Sequence, residues 1–158
     1  MNKEIERKYL LKNDNWKGLA EPVFYRQGYL SYGKGNTVRI RTINDKGIIT
    51  IKSKTVGISR DEFEYEIPFD DAEKLLDQLC AKPLIEKFRT KIKIKDLIWE
   101  VDEFVGDNKG LVVAEVELHD ENQKIEMPEW IGKEVSGKRR YYNSSLIKNP
   151  YKKWSAKN

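Results

Sequence analysis

At 158 residues the chain has room for one domain with a substantial core and little beyond it. A hydrophobic fraction of 39% fits a globular protein, but a charged fraction of 35% is high enough that the placement of the charges must carry meaning. A single cysteine rules out an internal disulfide, and with only one histidine beside it the usual zinc ligand sets are excluded, so any metal is expected on carboxylates, which suit Mg2+ or Mn2+.

The balance of 30 basic to 26 acidic residues leaves a formal charge of +4, a mild bias toward an anionic partner. Residues 1–11 carry charge at nearly every second position, so no secretory leader is expected, and nothing downstream is long enough to span a bilayer. A cytoplasmic protein that touches no membrane is the expectation, with room left for a homodimer and no specific nucleic acid partner.

In chain order, strict alternation predicts strands over 2–11, 24–32, 37–43, 47–55, 61–67, 85–95, 98–104 and 111–119. Hairpin loops are expected at Gly33-Lys34-Gly35-Asn36, Asn44-Asp45-Lys46-Gly47 and Asp107-Asn108-Lys109-Gly110, with glycine available for positive φ. A helix should start at Asp70-Asp71-Ala72-Glu73 and carry Leu75, Leu76 and Leu79 as its apolar stripe, with Cys80 packed beside it. Shorter helices are expected over 13–20 and 143–148. Residues 1–148 read as one domain and residues 149–158 as a basic, frayed tail.

The strands share one peculiarity. Glu4, Glu6 and Lys8 fall on one face of the first, and Arg39 and Arg41 on one face of the third. Thr50, Lys52 and Lys54 follow in the fourth, then Glu62, Glu64 and Glu66. Lys87, Arg89, Lys91 and Lys93 come next, then Glu100 and Asp102, then Glu115 and Glu117. A sheet with one face in water accounts for alternation. It does not account for runs of one sign, since like charges at i and i+2 repel.

The other reading is a closed eight-stranded antiparallel β-barrel with the charged face inward, a tunnel covered outside by a few helices. Basic side chains would hold phosphate oxygens, and carboxylates would hold divalent cations that bridge to them. With Lys52, Lys87, Arg89 and Arg41 around one cavity, mutual repulsion is expected in the empty barrel.

Glu4-Ile5-Glu6-Arg7-Lys8 resembles the ExExK signature of the CYTH superfamily, the triphosphate tunnel metalloenzymes. Arg39-Ile40-Arg41, Thr50-Ile51-Lys52, Arg60 with Glu62 and Glu64, Lys87-Phe88-Arg89 and Glu115-Val116-Glu117 follow in that family's order. The stretch from Val135 to Asn143 is similar to its closing motif, although Lys138 stands where many members have an acid.

The resemblance implies metal-dependent hydrolysis of a triphosphate, as in small bacterial inorganic triphosphatases. Tripolyphosphate is the first substrate; adenylate cyclisation and nucleoside or thiamine triphosphate hydrolysis are the alternatives, and a non-catalytic polyphosphate-binding module ranks below them. It implies phosphate contacts from Lys8, Arg39, Arg41, Lys52, Lys87, Arg89 and Arg140. It also implies metal ligation by Glu4, Glu6, Glu115 and Glu117, with Glu62 and Glu64 as further candidates. Tyr29 is expected to orient the Lys8 ammonium, making these two the expected catalytic residues. His119 is expected to be solvated.

Overall fold

The computed structural model describes residues 3–32 and 35–154. Its elements in order are β1 (Lys3–Leu11), β2 (Pro22–Ser31), β3 (Thr37–Ile43), β4 (Lys46–Lys52), β5 (Ser59–Ile67), α1 (Phe69–Gln78), β6 (Ile85–Ile94), β7 (Leu97–Phe104), β8 (Val112–Glu117) and β9 (Ile131–Glu134). Every pairing between these strands is antiparallel, in the order β5-β4-β3-β2-β6-β7-β8-β1-β9. The first half of β1 returns to β5, with Lys3, Glu4 and Ile5 opposite Asp61, Arg60 and Ser59, and this closes the eight-stranded barrel. The second half of β1 diverges and pairs with β9 instead, Tyr9 opposite Glu134 and Leu11 opposite Ile131.

The register explains why the charges go inward together. Arg39 is level with Thr50, Thr50 with Glu64, Lys52 with Glu62, Arg89 with Asp102, and Lys8 with Glu115. Side chains level with one another in paired strands share a face. The opposite face carries apolar residues that need cover. Tyr9, Ile92, Trp99 and Val116 are covered by Trp16 and Trp130 from the connecting segments. Ile40 packs with Ala72, Leu76 and Cys80 of α1 and the segment just after it. Two glycines permit this contact: a Cβ on Gly47 would lie 2.7 Å from the Ala72 Cβ, and one on Gly28 would lie 2.7 Å from the Cys80 Cβ.

Toward one end the inward face turns apolar. Leu10, Ile85, Phe104 and Val113 meet Val135, Tyr141, Leu146 and Ile147 of the segment after β8, which fill that end of the interior. The charged lumen therefore has an apolar floor.

Several local expectations need correction. Segments 13–20 and 143–148 form turns rather than helices; each is too short to stand alone and is fixed by buried anchors, Trp16 in one and Leu146 with Ile147 in the other. In the β3–β4 turn it is Asn44, at φ 56°, that adopts the left-handed conformation, and Gly47 serves the contact with α1. Lys54 lies beyond the end of β4 and is exposed. The loop expected at Gly33 and Lys34 falls outside the described residues. The described part of the expected tail is not frayed: Trp154 is buried, its ring 5.3 Å from Tyr141 and 5.0 Å from Tyr151, and its indole N–H donates to the Asn149 carbonyl.

Candidate active site

Above the apolar floor lies a cavity of about 320 Å3 whose charged lining is evenly divided between acids and bases. Lys8, Tyr29, Arg39, Arg41, Lys52 and Arg89 reach it, as do Glu4, Glu6, Glu62, Glu64, Glu115 and Glu117. Two expected residues do not. Lys87 is wholly buried beneath the lining, where β6 nears the floor and Phe104 stands level with it. Arg140 is turned onto the Trp154 ring, its guanidinium carbon 4.1 Å from the ring centre.

The cations of β3, β4 and β6 are mostly tied to carboxylates, which corrects the expectation of bare repulsion. Arg41 Nη2 donates to Glu64 Oε2 at 3.0 Å, and the same oxygen accepts from the Thr50 hydroxyl at 3.1 Å. Lys52 Nζ lies 3.0 Å from Glu4 Oε1 and 3.5 Å from Glu62 Oε2. Arg60 Nε reaches the same Glu4 oxygen at 3.3 Å. Deepest of all, Asp102 accepts Arg89 Nε at 2.7 Å and Nη2 at 2.8 Å, and Lys87 Nζ at 2.7 Å.

Two lumen cations differ. Arg39 Nη2 donates to Thr50 Oγ1 at 3.4 Å, and Lys8 Nζ donates to the Tyr141 carbonyl at 3.1 Å. Among the described residues neither makes a salt bridge. The Lys8 contact also corrects the expectation for Tyr29. The ammonium is held by the closing segment, while the Tyr29 hydroxyl lies 3.5 Å from Gln27 Nε2.

The carboxylates behave differently. Burial raises the Glu6 carboxyl well above its ordinary range, and the neighbouring Glu115 and Glu4 add to the effect. Glu115 is buried too, yet Lys8 and Arg89 hold it well below the usual range. The direct interaction of the two carboxyls adds to both shifts, raising Glu6 and lowering Glu115. Glu117 and Glu62 are pushed up by burial and then by surrounding carboxylates, Glu4 foremost among them. Glu4 itself is lowered, because Lys52 and Arg60 outweigh its burial.

Among the described residues no three acidic, histidine or cysteine side chains converge closely enough to hold a metal as they stand. The donor chemistry still suits a divalent cation. Glu6, Glu115, Glu117 and Glu62 offer only hard oxygens, and burial together with neighbouring carboxylates raises the proton affinities of Glu6, Glu117 and Glu62. Glu64 and Glu4 are already committed to lumen cations.

Sequence reading gave no role to Asp102, Arg60, Tyr25 or Asn143. Asp102 and Arg60 share the charged phase of their strands, so alternation marked their side but not their partners. Asn143 Oδ1, 3.4 Å from Lys87 Nζ, comes from an irregular segment with no periodicity to read. His119 and Lys138 are exposed.

Comparison with known proteins agrees with this geometry. The CYTH domain family matches residues 2–150. The chain is 54% identical to an inorganic triphosphatase of Acetivibrio thermocellus over 152 residues, 96% of this chain and 97% of that one. It is 34% identical to an inorganic triphosphatase of Nitrosomonas europaea over 147 residues, 90% of this chain and 95% of that one. A crystal structure described as that of an inorganic triphosphatase superimposes with a TM-score of 0.65 and 32% identity, covering 91% of this chain and 93% of the other.

Proposed function

This chain belongs to the CYTH domain family, and on that premise we propose that it hydrolyses inorganic tripolyphosphate to pyrophosphate and phosphate with a divalent cation, Mg2+ or Mn2+. The observation that carries the reading is the lumen itself. Its formal charges balance, yet among the described residues Lys8 and Arg39 make no salt bridge, while Glu6, Glu62 and Glu117 are pushed up by burial and by neighbouring carboxylates. Such a cavity suits neither a bare polyanion nor a bare cation, but both together.

In this reading Lys8, Arg39, Arg41 and Arg89 bind the phosphate oxygens. Lys52, fixed by Glu4, supplies charge from the side. Glu6, Glu115, Glu117 and Glu62 would hold the cation. When bound, it neutralises phosphate charge and makes water a better nucleophile. Water attacks the terminal phosphorus in line as the bridging oxygen leaves with pyrophosphate. The raised proton affinity of Glu62 and Glu117 suits whichever carboxylate is not on the cation to accept the water's proton. The Tyr141 carbonyl holds the Lys8 ammonium in place for the phosphate. No helix among the described residues is long and apolar enough to cross a membrane, and a lone buried Cys80 suits the cytoplasm, where we place the protein.

Phosphate release from tripolyphosphate, ATP and thiamine triphosphate, each with Mg2+ or Mn2+, tests the proposal. Tripolyphosphate should give the highest specificity constant, because the described lining of the lumen is dominated by charged side chains suited to phosphate and cation. A large preference for ATP, or cyclic AMP as product, would replace hydrolysis of the inorganic substrate with the cyclase reading.

A further inference from the structure

Tyr25 is buried in the barrel and lines the cavity, yet it belongs to none of the three apolar clusters that make the core. Its strand explains its position. β2 runs between β3 and β6, and Tyr25 lies level with Ile43 on one side and Lys87 on the other. The ring therefore stands between the strands that carry Arg41 and Arg89. The Arg41 guanidinium carbon is 5.5 Å from the ring centre and that of Arg89 is 5.0 Å away. Two cations share one aromatic ring, and each distance is within the range where a ring quadrupole attracts a guanidinium.

The two arginines are unequally held. Arg89 is forked onto Asp102 by two short hydrogen bonds. Among the described residues Arg41 has one hydrogen bond, to a half-exposed Glu64, and its buried Nε has no hydrogen-bond partner. Burial and the nearby Arg39 and Arg89 pull the Arg41 guanidinium down to about 10, the mark of a cation in costly surroundings. A flexible arginine so placed needs a further restraint, and the Tyr25 ring is the group in contact with it that can supply one.

We propose that Tyr25 is a positioning residue that fixes Arg41, and through it the Arg41–Arg89 pair, for a substrate's phosphate groups. This rests on the triphosphatase reading of the lumen, with the ring acting through the arginines and not on substrate. Its π face is what matters, so phenylalanine should replace it and an aliphatic side chain should not.

The test is calorimetric titration with tripolyphosphate, using Ca2+ to suppress turnover, on the parent protein, Tyr25→Phe, Tyr25→Leu, Tyr25→Met, Arg41→Gln and the Tyr25→Leu/Arg41→Gln double variant. Alongside it runs NMR of the arginine Nε–H resonances, which a ring face shifts upfield. Tyr25→Phe should bind within about twofold of the parent, and Tyr25→Leu and Tyr25→Met about tenfold more weakly. The double variant should bind like Arg41→Gln alone, since the ring acts through that residue. Under turnover the aliphatic variants should raise KM more than they lower kcat. The upfield shift of the Arg41 and Arg89 signals should persist in Tyr25→Phe and vanish in the aliphatic variants. Tyr25→Met, unbranched and adaptable, keeps the test open if the leucine variant folds poorly. Parent-like binding by both aliphatic variants, equal losses in Tyr25→Phe and Tyr25→Leu, or full additivity in the double variant would each overturn the proposal. If the parent protein does not bind tripolyphosphate, the functional reading falls, and the NMR shifts alone decide whether the ring holds the arginines.

Discussion

On the wall of the lumen formed by β3, β4 and β6, most cations already own a carboxylate: Arg41 has Glu64, Lys52 has Glu4, and Arg89 and Lys87 share Asp102. On the wall formed by β1, β5 and β8, carboxylates largely face one another, and burial with mutual repulsion raises Glu6, Glu62 and Glu117. The basic wall is preorganised by its own ion pairs, and within it Arg39 is left with a hydroxyl as its partner. The acidic wall is left short of positive charge. A buried pair is costly to break from one side only, whereas a partly buried like-charge cluster waits for something to complete it. The contrast separates residues that hold the site in shape from residues that bind.

Asp102→Asn should have the largest effect on stability. It strands Lys87 and Arg89 together and leaves Lys87 only the Asn143 side-chain oxygen as a hydrogen-bond partner among the described residues, at a cost of about 3 kcal/mol. For a domain of this size that lowers the melting temperature by roughly 6–12 °C. A loss of only a degree or two, measured by calorimetry, would mean that the pairs on the basic wall do not organise it.

Arg39→Gln should show the converse. No carboxylate is stranded, so the melting temperature should hold or rise. The specificity constant for tripolyphosphate should fall about 10- to 100-fold, as expected for one lost charge-assisted hydrogen bond. A variant that melts much lower and still turns over normally would place Arg39 among the structural cations.

Lys87 offers an effect that depends on pH. Burial, helped by Arg89 and opposed by Asp102, lowers its ammonium from 10.5 to about 7. Between these values the unfolded chain binds a proton that the folded protein does not, so stability from this group grows as pH rises from 7 toward 10.5 and is lost as pH falls through 7. Melting curves of Lys87→Met across that window should be flatter than those of the parent. Parallel curves would show that Lys87 keeps its proton in the folded state. Smallest of all, Glu126→Gln should be indistinguishable from the parent in rate and melting temperature. Glu126 pairs with Lys95 on the open surface, and neither lines the cavity.

The two walls were legible in the sequence to different degrees. Alternation gave the face of each strand, because period two is set by backbone geometry alone, and one-sign runs told which face was unusual. It could not give height along the barrel. Lys87 shares the phase of Arg89, yet the apolar floor begins at its level, so one residue lines the cavity and the other lies beneath it. Nor could it give partners across strands, and the repulsion expected among the cations proved to be a set of ion pairs. β9 was missed because four residues containing Gly132 show no usable alternation. Arg140 and the Tyr141 carbonyl belong to an irregular segment whose direction is set by Trp154 and Leu146, which no local pattern encodes.

If the lumen accepts a polyanion and a divalent cation together, each making up for what one wall lacks, the binding of the two must be coupled. Calorimetric titration of the metal-stripped protein with tripolyphosphate, repeated in the presence of Ca2+ at one pH and ionic strength, tests it most directly. The cation should tighten binding by at least about tenfold, a coupling of about 1.4 kcal/mol or more, and Glu115→Gln should abolish most of this gain while leaving the metal-free affinity nearly unchanged. Equal affinity with and without the cation, in a protein verified to be metal-free, would contradict it.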